Sequence, residues 1–294
     1  MSLPAADTVV TYPAGAVAGT GTVLYTQVLP DGRLAVLLDS TPVHPVDAGW
    51  PDQGADRATL TAPEGAEVPV TDCVVGATDG SSLYVGKDVP VRKGTEGWAF
   101  AAVHILPAGT VLAEGSEVQL KVEEAYRAAL SAGHTACHLA SLALNRVLAG
   151  AWKKEAQSDA AGNPDFDALA IGTSTIGEYG SRDVYRLGKS LRRKGFRTEA
   201  LLEDLQAVEA GVNATLKEWV ASGAAVRIER ESELLTGMRR WVCSLPGGTV
   251  SIPCGGTHLS SLAQVSGVQV RLSAAPGEGA VEVVMDTCCT PVAG

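Results

Sequence analysis

The first third of the chain alternates apolar and polar positions in short runs broken by turn residues. Thr22–Leu29 leads into Pro30-Asp31-Gly32, and Leu34–Asp39 resumes as a second run, so a hairpin is predicted there. Val68–Val75 and Ser82–Val85 read as further strands between Gly- and Pro-containing turns. No helical period shows in this region, and residues 1–115 are expected to form a small β-barrel-like domain. Glu117–Glu123 alternates as a strand, and the period then changes. A helix is expected from Glu124 to Leu148, ending at Gly150, with Gly133 as a place for an interruption. A second helix fits Thr198–Ser222, capped by Thr198 and ended by Gly223. Its stripe of Leu201, Leu205, Val208, Val212, Leu216 and Val220 is the pattern of a core-facing surface.

Strand patterns return near the C-terminus. Arg240–Leu245 and Thr249–Ile252 flank Pro246-Gly247-Gly248, and Val268–Leu272 and Val281–Met285 flank the turn at 275–279. The fold class expected is α+β: a β-barrel-like domain at 1–115, then a domain at 116–294 with an antiparallel sheet and helices on one side. Trp152–Arg197 follows neither period and gives no assignment.

Composition narrows the field. Apolar residues make up 46% and charged residues 19% of 294, a foldable globular balance. No apolar run is long enough to cross a bilayer, and no signal-peptide pattern opens the chain. Six irregularly spaced cysteines do not make a disulfide framework, so a reducing, cytoplasmic setting is expected. The net charge of −10 excludes nucleic-acid binding through a general positive field. Any such contact needs a local patch. The candidate run holds Arg182, Arg186, Lys189, Arg192, Arg193, Lys194 and Arg197, opposed within it only by Asp183. It suits RNA phosphates; a solvated helix face is the plain alternative.

Three of the five histidines fall into two motifs. His134 and His138 in His134-Thr135-Ala136-Cys137-His138 are four apart, which on a helix puts both imidazoles on one face. Cys254-Gly255-Gly256-Thr257-His258 sets a thiol and an imidazole around two glycines, suited to a tight loop. Each motif alone is weak. Together they offer His, His, Cys and His, a donor set that zinc favours. The helical zinc-protease pattern is excluded, because its general base would follow the first histidine and Thr135 stands there. Cys137 between the histidines is more simply a packing residue, and His44 and His104 are expected to be structural or surface residues.

These two motifs, more than a hundred residues apart, resemble the editing domain of alanyl-tRNA synthetase and the free-standing AlaX-type editing proteins. The resemblance extends upstream: Leu38-Asp39-Ser40-Thr41-Pro42-Val43-His44-Pro45 is similar to the family's "LDxTxFYP" segment, and Lys121-Val122-Glu123 with Arg127 stands where the family has an acidic residue and Arg before the metal helix. It implies a zinc ion held by His134, His138, Cys254 and His258. It also implies hydrolysis, in trans, of the ester between tRNA(Ala) and a wrong amino acid, serine or glycine, a translation-fidelity role. Gly255 and Gly256 would offer amides to a developing oxyanion, Thr257 would bond a seryl hydroxyl, and Thr135 would join them in contacting substrate. The acceptor end of tRNA would dock on Arg182, Arg186, Lys189, Arg192 and Arg193. The family's Gly-rich run ending in Gln after the proline is replaced here by Pro45-Val46-Asp47-Ala48-Gly49-Trp50. That departure keeps two other readings open: the same site hydrolysing another small ester or amide, and a non-catalytic aminoacyl-tRNA binder with structural zinc.

Overall fold

A computed structural model describes residues 2–277 and 279–292. Glu278, within the expected turn at 275–279, lies outside the described residues. The chain forms two compact units. The first comprises Met1–Arg127 with Arg230–Arg239 and Gly255–Thr257; the second comprises Ala128–Glu229, Arg240–Cys254 and His258–Gly294.

In the first unit a short parallel pair, β1 (Val9–Val10) and β4 (Ser40–Thr41), accompanies an eight-stranded sheet. The sheet uses β2 (Ala18–Val28), β3 (Leu34–Leu38), β5 (Ala58–Thr61), β6 (Glu67–Val70), β7 (Asp72–Thr78), β8 (Leu83–Val85), β9 (Ala99–Leu106) and β10 (Glu117–Val122). Their order is β6-β5-β10-β2-β3-β9-β7-β8, with antiparallel pairing. The sheet curls: Val70 on β6 shares one apolar core with Leu34, Leu38 and Leu106, although β6 stands at the end of the order. The expected β2–β3 hairpin is present. The run Val68–Val75 is two strands, not one, broken at Thr71. Glu117–Glu123, expected to open the second domain, pairs instead with β2 and β5, because Val118, Leu120 and Val122 belong to this core.

The first turn of α1 (Glu124–Val147) carries Arg127, which is buried. Its guanidinium donates to Asp56 Oδ1 (2.6 Å) and the Pro42 carbonyl (2.8 Å), and also bonds Asp56 Oδ2. A buried charge is tolerable only when its donors are met in this way. The two histidines outside the motifs, His44 and His104, are both buried. His104 on β9 bonds Thr41 Oγ1 through Nε2 (2.8 Å) and the Val36 carbonyl through Nδ1 (3.3 Å). The carbonyl only accepts, so Nδ1 carries the proton and Nε2 accepts from the Thr41 hydroxyl.

Among the described residues the second unit holds seven strands: β11 (Ile171–Gly177), β12 (Gly180–Leu187), β13 (Val226–Arg230), β14 (Arg239–Leu245), β15 (Gly248–Pro253), β16 (Val265–Gly277) and β17 (Ala280–Pro291). They make a four-stranded antiparallel sheet, β11-β12-β17-β16, and a three-stranded sheet, β13-β14-β15. One apolar core joins these sheets to α1 and α5 (Leu205–Ala221). Both expected C-terminal hairpins are present, β16–β17 longer than its apolar signal. The stripe on α5 faces the core as expected.

Three details differ from expectation. α1 is unbroken at Gly133; a Cβ there would stand 2.3 Å from the Gly177 carbonyl and 2.6 Å from that of Gly180. The glycine thus lets the β11–β12 hairpin lie directly on the helix. α1 passes into a 3-10 turn at Ala149–Ala151 instead of ending at Gly150. The helix expected from Thr198 to Ser222 is split into α4 (Glu199–Leu202) and α5, and Asp204, not Thr198, caps α5 by accepting from Ala207 N. Gly223 does end α5, at φ +60°. The unassigned segment contains α2 (Phe166–Ala170), the β11–β12 hairpin and α3 (Lys189–Arg193).

Candidate metal centre

His134 and His138 project from α1, flanked by the buried apolar residues Ala132, Ala136, Leu139 and Ala140. Cys254 follows the end of β15, and His258 lies four residues on. All four belong to the second unit. Their donor atoms lie within 4.8 Å of one another, so the group could hold a metal ion. Cys254 Sγ is 3.5 Å from His134 Nε2 and 3.2 Å from His258 Nε2. A tetrahedral ion with zinc-like bond lengths would set S and N about 3.6 Å apart.

Two further observations fit a metal. His138 Nε2 is buried without a hydrogen-bond partner, a costly state unless a ligand meets that lone pair. Burial also pushes the His138 pKa down to about 4, so the ring is neutral near pH 7, which is the ligating form. Trp241 on β14 is fully buried and walls the site, its ring centroid 5.1 Å from that of His138 and 6.0 Å from that of His258. Such an apolar wall limits water and strengthens electrostatics at the candidate ligands.

Thr135, expected among the substrate-contacting residues, is 1% exposed. Its Oγ1 lies 3.2 Å from His258 Nδ1 and accepts from Leu259 N at 3.1 Å. One residue beyond His134, its side chain points about 100° around the helix from that candidate ligand. It therefore braces the second motif, the arrangement by which a polar neighbour fixes a metal-ligating imidazole. Cys137 is not among the four donors. Its thiol faces Asp183 Oδ1 at 3.6 Å, and burial raises its pKa well above the usual thiol range.

Gly255, Gly256 and Thr257 group with the first unit. Gly255 has no left-handed φ, and a Cβ added to it would meet no atom within 4 Å. The loop therefore does not need glycine there for the reason expected. Thr257 is buried and held at two points by Gln53, whose Nε2 donates to Thr257 Oγ1 (2.9 Å) and whose Oε1 accepts from Thr257 N (3.1 Å). The sequence pattern does not single out Gln53. Its one signal is that the family's Gly-rich run ends in Gln, and here a glutamine follows Pro45 eight residues on.

The basic run does not form one helix face. Arg182 and Arg186 are exposed on β12, and Lys189, Arg192 and Arg193 are exposed on α3. Arg182 Nη1 pairs with Asp286 at 2.9 Å, and Arg197 donates to the Gly150 carbonyl. The same segment carries a buried acidic network that no spacing in the sequence marks. Ser174 and Ser181 donate to Asp183, and Tyr185 Oη donates to Asp167 Oδ1 at 2.8 Å. Burial, with Asp183, Asp165 and Asp159 nearby, raises the Asp167 pKa to about 7.

Fold and site together define an α+β protein with a His₃Cys cluster able to hold a metal ion. Over nearly its whole length the chain is similar to part of alanine–tRNA ligases. It is 29% identical over 278 residues to the alanine–tRNA ligase of Parvibaculum lavamentivorans, covering 87% of this chain and 28% of the relative. It is 25% identical over 280 residues to the chloroplastic/mitochondrial enzyme of Ostreococcus lucimarinus, covering 87% and 25% respectively. A probable chloroplastic/mitochondrial alanine–tRNA ligase of Ostreococcus tauri matches at 25% over 276 residues, covering 86% and 23%. The chain spans about a quarter of the length of these curated relatives. No family model matches it. No helix among the described residues is long and apolar enough to cross a membrane.

Proposed function

We propose that this protein is a zinc-dependent aminoacyl-tRNA deacylase that removes serine or glycine from mischarged tRNA(Ala). The observation that carries the proposal is the convergence of His134, His138, Cys254 and His258. The likeness to alanine–tRNA ligases supports an aminoacyl-tRNA as the substrate class. A zinc ion bound there supplies Lewis acidity toward an ester carbonyl or a water molecule. The ester is activated relative to an amide, so modest assistance suffices.

The chain's own residues do the rest in this reading. Thr135 holds the His258 ring in its ligating orientation. Gly255 and Gly256 offer backbone amides to the carbonyl oxygen as it gains charge. Gln53 fixes the Thr257 hydroxyl, which recognition of a seryl hydroxyl requires. The exposed cations Arg182, Arg186, Lys189, Arg192 and Arg193 hold acceptor-stem phosphates.

Deacylation of seryl-, glycyl- and alanyl-tRNA(Ala) by zinc-loaded protein tests the proposal. The expected result is release of serine or glycine with alanine spared, lost on chelation and in His134→Ala. A second reading rests on the donor count: four protein ligands are the usual composition of a structural zinc site. Full zinc occupancy with no release from any of the three tRNAs would favour a structural ion in an aminoacyl-tRNA-binding protein. Release from small model esters without tRNA dependence would favour a general esterase. Arg192→Ala with Arg193→Ala should weaken tRNA binding and flatten its salt dependence; unchanged binding would remove that patch.

A further inference from the structure

The first unit contains a cleft of about 440 Å³, and no substrate or RNA contact named above lines it. Residues 47–50 and 86–93 contribute most of its lining, and the buried Phe100 adds an apolar surface. The volume is in the lower part of the range of small-ligand pockets, roughly 300–1,000 Å³, and so suits a single ring system better than a folded element.

The chemistry of its lining is specific. Trp50 is 59% exposed, although an indole is among the most costly side chains to leave in water. Its backbone is nonetheless held: Trp50 N donates to the Asp47 carbonyl at 3.1 Å. Asp47 is in turn pinned by Lys93 Nζ at 2.6 Å and accepts from Gly49 N. The loop thus presents a flat aromatic face on a braced backbone. Among the described residues Asp47 is the one acid lining the cleft, and Lys93 neutralises it. Lys87 and Arg92 line the same cleft, are exposed, and among the described residues pair with no carboxylate. In a chain of net charge −10, two cations without an ion-pair partner beside an exposed aromatic ring select an anionic, planar ligand.

An aromatic platform with flanking cations is how proteins grip single-stranded nucleic acid: the ring stacks on a base and the cations follow the backbone. We infer that this cleft holds an unpaired nucleotide of an RNA strand, its base stacked on Trp50 and its phosphate met by Lys87 and Arg92. RNA as the ligand rests on the aminoacyl-tRNA reading above. The cleft belongs to the first unit, whereas the Arg182–Arg193 patch belongs to the second. It includes part of the segment where Pro45–Trp50 replaces the family's Gly-rich run, which gives that replacement a role in holding the RNA end.

The probe is the single-stranded tetranucleotide ACCA, titrated into zinc-loaded protein and followed by tryptophan fluorescence and by competition binding. Wild type should bind with quenching. Trp50→Ala should lose the quench and bind at least tenfold more weakly, and Trp50→Phe should keep most of the affinity. Lys87→Ala with Arg92→Ala should lower the slope of log K against log salt by about 1.4, as expected for two lost phosphate contacts on a single strand. All three side chains are exposed, so unchanged thermal melts will establish that the variants fold. Wild type that does not bind ACCA, or Trp50→Ala that binds it as well as wild type, overturns the inference. The deacylation assay reads separately. Binding through Trp50 without deacylation keeps the cleft and sinks the enzymatic reading; deacylation with an unchanged KM in Trp50→Ala keeps the enzyme and sinks the cleft.

Discussion

His104 is buried and His138 is half-buried with its Nε2 shielded from solvent, and desolvation pulls both toward a pKa of about 4. Their surroundings differ in one respect. His104 has a partner at each nitrogen, Thr41 and Val36, inside the sheet of the first unit. His138 has no partner at Nε2, and instead faces His134, His258 and Cys254 in the second unit. Desolvation alone therefore says only that a buried imidazole is neutral. What meets the neutral lone pair separates a structural histidine from a candidate ligand. His44 shows that an orphaned nitrogen is not sufficient: its Nδ1 is also unpaired and buried, but it is outside the His₃Cys group.

The largest expected effect breaks the comparison at its centre. If the group holds zinc as proposed, His138→Ala or Cys254→Ser should lower zinc affinity by more than roughly 100-fold in chelator competition, since each would remove a ligand. His104→Ala should leave zinc affinity unchanged and instead lower stability by about 1–3 kcal/mol, because Thr41 loses its buried partner. Equal zinc loss in both variants would erase the distinction. Next in size is Thr135→Val, which removes the hydroxyl beside His258 Nδ1. Zinc affinity should fall about 10–100-fold, and Thr135→Ser should recover most of it. No change would mean that the hydroxyl does not orient the ring.

Asp167 extends the comparison to an acid. Its folded pKa of about 7 is raised above the ordinary aspartate value of 3.8, so the folded state prefers the protonated carboxyl. The associated stability is fully present below about pH 3.8 and is lost as pH rises through about 7. Asp167→Asn keeps a carbonyl oxygen for Tyr185 and cannot ionise. Denaturant melts should show the variant gaining stability over wild type from about pH 5 to pH 8; a constant difference would sink this account. The smallest effect is expected at Gly255→Ala. With open space at the Cβ position and no left-handed φ, stability should change by less than about 0.5 kcal/mol. A larger loss would mean that the glycine is needed for a reason other than sterics.

Much of the fold was legible where signals are local. The β2–β3, β14–β15 and β16–β17 hairpins each carry a turn sequence between apolar runs, and α1 and α5 each carry a helical stripe. The β11–β12 hairpin was not legible. Its tight turn is Glu178-Tyr179, with Tyr179 itself at φ +57°, a conformation usually marked by Gly or Asn. A register shift between Ile171 and Thr173 breaks the alternation as well. The split between α4 and α5 was hidden because Leu201 and Leu205 keep the helical spacing across the break.

The donor types and the pairing of His134 with His138 follow from residue identity and spacing, because a four-residue spacing on a helix is geometry within one element. The absence of a general positive field follows from composition. Long-range packing is what brings Cys254 and His258, some 120 residues on, to that helix, joins β10 to the first sheet and turns Thr135 to His258. Each depends on which distant segment lies alongside, and that is set by the burial of whole apolar faces, which no local spacing encodes.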